Sequence, residues 1–174
     1  MQPHPIAEKM TPGIPGPGLE ISVQAVPSTL QLTGGQVIPF RRAMLIMRNT
    51  DQLALNGFVP HATIAQEGGS IQDGTEALSR TNPLGVLPAG GTLAWDVYEL
   101  LTSVNPGVAS KVHLFGHKAV LNWWYDLTAW AEVLISGEST SIQTPIYQWK
   151  LRWSQARNPK DGIELSIDPN GAKK

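Results

Sequence analysis

Apolar and polar residues alternate repeatedly along this chain with the period of a β-strand. The clearest run lies late in the sequence. Tyr147, Trp149, Leu151 and Trp153 fall on one side of it, and Gln148, Lys150, Arg152 and Ser154 on the other. One such face packs and the other meets water, as in an antiparallel sheet. An earlier run places Leu19, Ile21, Val23 and Ala25 opposite Glu20, Ser22 and Gln24, is interrupted at Pro27-Ser28, resumes over Thr29 to Thr33 and turns at Gly34-Gly35. Ala43 to Met47 is continuously apolar, the pattern of a short strand buried on both faces. Asn49-Thr50-Asp51 then signals a turn. Phe58 to Gln66 reads as a strand in which Pro60 requires an edge or a bulge.

Other segments are less regular. Glu67 to Gly85 is rich in Gly, Ser, Thr, Asn and Asp. It is long for a connection in a compact domain, so it either carries function or conceals a short strand. Leu93, Trp95 and Val97 alternate after a Pro-Ala-Gly-Gly turn, whereas Glu99 onward also suits a short helix capped at Thr92 and ending before Pro106. The stretch Lys111–Ile135 holds two of the four histidines and three of the six tryptophans. Residues 111–121 alternate like a buried strand, while Val120, Trp124, Leu127, Trp130 and Leu134 also match helical spacing. Aromatic density and the following Gly-Glu-Ser-Thr-Ser favour two strands joined near Asn122. Asn158-Pro-Lys-Asp-Gly reads as a turn, Ile163 to Ile167 as a last strand, and Asp168 onward as a polar tail.

These elements predict an all-β fold, an antiparallel β-sandwich of Ig-like or jelly-roll-like type with about eight strands. The alternative is an α+β fold with one helix near 120–135. Residues 111–135 and Tyr147–Trp153 are expected to supply its aromatic centre, with Trp95, Trp130, Trp149 and Trp153 in the core. The domain organisation expected is an extended Pro/Gly-rich arm at 1–18, a single domain at 19–168 and a polar tail at 169–174.

Composition narrows the functional classes. The 174 residues carry 16% charged residues, below the usual quarter, and 31 Gly and Pro together (17 + 14). Formal net charge is −1, and it is evenly spread: five Lys/Arg face six Asp/Glu in residues 1–87, and eight face eight in 88–174. No basic face emerges for phosphate contacts, so a nucleic-acid partner is not expected. The chain has no cysteine, which excludes thiolate metal sites, Cys nucleophiles and disulfides. Its longest apolar run falls far short of the ~20 residues that span a bilayer, and the N-terminal segment lacks a signal-peptide pattern, so a soluble protein without membrane insertion is expected.

Chemical signatures are sparse. His113-x-x-x-His117 is the one histidine pair with ligand-like spacing, and these two are the metal candidates. On a strand they would share a face but stand about 13 Å apart, too far to chelate one ion without a bulge at Gly116. Asp126 and Glu132 would lie roughly 20 Å apart on one strand face, too far to act as an acid–base pair. No phosphate loop, dinucleotide fingerprint or nucleophile elbow is present. No catalytic residue and no cofactor are therefore expected. Trp123, Trp124 and Tyr125 are the ligand or interface candidates, because adjacent strand residues point to opposite faces and one indole would be left for a partner. The reading that follows is a noncatalytic structural or accessory protein acting by self-association or by docking into a larger assembly. Carbohydrate binding through an exposed indole and metal binding through the histidine pair are its alternatives.

Overall fold

The computed structural model describes residues 18–31, 35, 37–66, 71–104, 122–134, 140–157 and 162–172. Eleven strands and two short helices make up these residues. The strands are β1 (Leu19–Gln31), β2 (Val37–Asn49), β3 (Leu55–Asn56), β4 (Val59–Gln66), β5 (Ile71–Asp73), β6 (Val86–Leu87), β7 (Thr92–Asp96), β8 (Asn122–Leu134), β9 (Ser141–Gln143), β10 (Tyr147–Gln155) and β11 (Ile163–Ala172). Helices α1 (Thr75–Arg80) and α2 (Val97–Val104) follow β5 and β7. All strand pairings are antiparallel. A three-stranded sheet has the order β1-β2-β7, and a six-stranded sheet the order β11-β10-β8-β4-β5, with β9 also on β8. A ribbon of β3 and β6 completes the set. The fold is all-β and sandwich-like.

Alternation decides which face is inside. Leu151 and Trp153 of β10, Leu127, Ala129, Ala131 and Val133 of β8, and Ala62 and Ile64 of β4 are buried. They meet Ala43, Leu45 and Met47 of β2 in one core. β8 and β10 are neighbours in register, Leu127 opposite Trp149 and Tyr125 opposite Leu151, so the expected aromatic centre forms from the described part of the first stretch. Trp153 joins the layers. Its indole N–H donates to the Arg41 carbonyl of β2 at 2.9 Å, and its ring stacks on Phe40 at 6.5 Å and meets Tyr125 edge-on at 6.2 Å. Arg42 next to it pairs with Asp96 at 2.7 Å and lies over the rings of Phe40 and Tyr98. The start of β11 depends on Gly162, which has φ +77° and on which a Cβ would collide with the Pro39 carbonyl.

Several sequence expectations are corrected. The favoured strand reading of 122–134 holds and it is the alternative helix that is set aside, because β8 runs through them as one strand. β1 continues across Pro27, which pairs in register with Arg41. β1 is the edge of its sheet among the described strands, so a residue without an N–H can leave the ladder intact. β11 likewise runs through Asp168-Pro-Asn-Gly. Trp149 faces Pro169 while Gln148 faces Gly171, so Asn170 is the extra residue of a bulge and not part of a turn. Pro60 stands at the end of β4 that β5 does not reach, where only β8 pairs with it. The segment after Gln66 contains both β5 and α1. β7 and α2 adjoin directly, and the helix is capped by Asp96, whose Oδ1 accepts from the Tyr98 N–H at 2.9 Å, not by Thr92. The second face of Ala43–Met47 is only half-covered at Met44 and Ile46. The first expected strand, 111–121, and arm residues 1–17 lie outside the described residues.

Candidate functional site

The candidates from sequence separate widely. Trp123 and Trp124 lie in β8 with Trp153 and Arg152 as their register partners, and their side chains lie outside the description. Tyr125 is buried at 1% exposure against Trp153, so its ring belongs to the core and not to a surface. His113 and His117 lie outside the described residues. Asp126 and Glu132 occupy the outward positions of β8 as their even spacing requires.

A cluster that the sequence did not single out sits on the outer face of the six-stranded sheet. His61 of β4 and Trp130 of β8 are directly opposite in register, and their rings stack at 5.0 Å with 6° between planes. Trp130 therefore leaves the core to which sequence assigned it and is half-buried on this outer face. His61 Nε2 lies 3.6 Å from Glu132 Oε1, too long for a hydrogen bond, and Nδ1 is 3.3 Å from the Thr75 hydroxyl of α1. Asp73, just before the N-cap Gly74 of α1, accepts the Thr75 N–H at 2.9 Å. The bonds from the Thr75 backbone and side chain hold the Asp73 carboxyl below its ordinary pKa; a slight desolvation of this exposed group opposes this and nearby His61 adds to it. Thr63 and Thr128 lie one row away, opposite each other, with Gln148 beyond Thr128 and Asp73 beyond Thr63. The face can offer hydrogen bonds beside an indole. Among the described residues no group of three His, Cys, Asp or Glu is placed to hold a metal.

The second surface is the β3–β6 ribbon. Leu55 opposite Leu87 and Asn56 opposite Val86 form it, and the Phe58 N–H donates to the Gly85 carbonyl beyond. Leu55 and Leu87 turn inward and are buried. Leu53, Leu84 and Val86 remain 69%, 86% and 37% exposed, and Ala54, Pro83, Pro88 and Ala89 beside them are exposed too. Asn49 holds the ribbon in place from the end of β2. It is fully buried, and its Nδ2 donates to the carbonyls of Leu53, Leu87 and Pro88 at 2.9, 3.0 and 3.0 Å. Its Oδ1 accepts the Asp51 N–H at 2.8 Å. Gln52–Gln66 and Thr81–Trp95, which hold the ribbon and run on into β4 and β7, contain no Asp, Glu, Lys or Arg; the exposed Asp51 and Arg80 precede them.

Fold and surface together define an all-β, sandwich-like protein with an uncharged apolar ribbon and an aromatic, hydroxyl-rich outer face. Comparison with models of protein families, with curated proteins and with solved structures finds no match to the chain. Among the described residues no helix is long and apolar enough to cross a membrane.

Proposed function

We propose that this protein is noncatalytic and acts by association with protein, through self-association or by docking into a larger assembly. The observation that carries this reading is the β3–β6 ribbon, where Leu53 and Leu84 expose most of their side chains. Contiguous exposed apolar surface on a folded domain marks contact sites, and the cores of such sites are depleted of charge. The low charge of the whole chain agrees with this. Light scattering on the full chain over a range of micromolar concentrations tests it: a mass above that of the monomer, growing with concentration, is expected. A constant monomer mass, together with no co-purifying partner from the native source, would count against association.

A second reading, carbohydrate binding, is favoured by Trp130. It is the one described indole on the outer face, fixed in orientation by His61 and beside Thr63 and Thr128. An indole held this way can stack on the apolar face of a pyranose while the hydroxyls bond its edge. Quenching of tryptophan fluorescence by members of a glycan panel, abolished in Trp130→Ala, is the expected response. Absence of any response across the panel ends this reading.

A further inference from the structure

Resting on the association reading, we infer that the occupant of the β3–β6 ribbon is the same ribbon of a second copy of this chain, related by a two-fold axis. The argument is one of charge. Two stretches without a single formal charge meet in the ribbon, in a chain with 27 charged residues (13 + 14). A partner that set a charge against Leu84 or Val86 would bury it unpaired, which costs several kcal/mol per ion. The partner surface must therefore be uncharged as well. An isologous contact meets that condition automatically, because the same patch supplies both sides.

Geometry permits it. The Leu53 and Pro88 carbonyls accept from one nitrogen, Asn49 Nδ2, and are thus neighbours. Leu84 stands at the other end, beyond the Phe58–Gly85 bond. Leu84 lies in the turn before β6, four residues from Pro88, so at most about 13 Å separates them and both ends fit under one interface of standard size, ~800 Å² per partner. The ribbon is also held rigidly from beneath by Asn49 and by Gly57, whose φ of +59° and close approach to Leu134 admit no side chain. A rigid patch loses little conformational freedom on binding. Val26 and Val37 are exposed too, but their hairpin carries Arg41 and Arg42 beside them, so they do not meet the charge condition.

Charge-exchange variants test the inference in the full chain. With the two-fold axis beside Leu84, Leu84→Asp and Leu84→Lys, each alone, are expected to sediment as monomers at concentrations where the wild type is dimeric, because like charges then meet across the axis. An equimolar mixture of the two is expected to restore the dimer, as a heterodimer. Circular dichroism and thermal melting of each variant verify that it is folded, and this exposed position makes folding insensitive to the change. A dimer that persists in both single variants overturns the ribbon as the self-contact while leaving association itself standing. Monomeric variants whose mixture stays monomeric overturn the second copy as occupant. A wild type that is monomeric at every concentration overturns the inference along with self-association, and leaves docking to a different protein.

Discussion

Asn49 shows how much depends on a single side chain. One amide nitrogen donates to three carbonyls from two distant segments, of which that of Pro88 also accepts the Gly91 N–H, and the amide oxygen takes the Asp51 N–H. Replacing it with alanine is expected to lower stability by about 1–3 kcal/mol, as the buried hydrogen bond to the Leu87 carbonyl and the part-buried ones beside it are lost. Asn49→Asp is expected to be worse, since it sets an anion against the same three oxygens. Urea unfolding measures both, and an Asn49→Ala variant with wild-type stability would contradict the hub. Sequence made the Asn-Thr-Asp turn legible here but not the hub, because the carbonyls of Leu87 and Pro88 come from a distant segment.

Asp73 gives a pH dependence whose sign is fixed. Thr75 stabilises the charged carboxylate, so the folded pKa lies below the unfolded one. The stabilisation is fully present above the unfolded value, about 3.9, and is lost as pH falls through the lowered folded value. The group is exposed, so the contribution is small. We expect the Thr75 amide resonance to titrate with a midpoint below that of an ordinary aspartate, and the effect to vanish in Asp73→Asn. A midpoint at or above the ordinary value would contradict it.

At the scale of elements, proline placement follows one rule. Pro27 lies in edge strand β1 and Pro169 in edge strand β11. Pro39 and Pro60 lie in interior strands, yet at positions where β7 and β5 do not extend, so each has a ladder partner on one side only. A residue that cannot donate is tolerated there, and it keeps an open edge from recruiting another chain. Pro27→Thr is therefore expected to fold but to aggregate faster on shaking, by static light scattering; unchanged aggregation would argue against a protective role. The same rule explains what sequence alone could not show. Alternation identified β4 and β10, each with one buried face, and the first half of β1, where Leu19 is buried and Ile21 and Val23 pack partly against the core. The extensions of β1 and β11 were hidden because proline reads as an interruption unless the neighbouring strands are known. α2 left a local signal, Asp96 followed three residues later by Glu99, a D-x-x-E variant of the capping box. α1, of six residues, is too short to show a helical period.

At the scale of the whole molecule, the two surfaces differ in kind. The outer face around His61 and Trp130 is polar and hydroxyl-rich, whereas the ribbon is uncharged and apolar. Neither was predicted as a site. An aromatic on a strand usually faces inward, so sequence places Trp130 in the core, and only the register with His61 reveals the outward stack. The ribbon was invisible because Leu53 and Leu84 are 31 residues apart in sequence (84 − 53) and acquire meaning only when β3 pairs with β6. The low charge of the chain was the one signal pointing toward it.

Hydrogen exchange at two protein concentrations tests association through the ribbon most directly. Raising the concentration is expected to slow exchange at 52–58 and 82–91 and to leave the His61–Trp130 face unchanged. Exchange at the ribbon that is independent of concentration, or protection that appears at the outer face instead, would contradict the account.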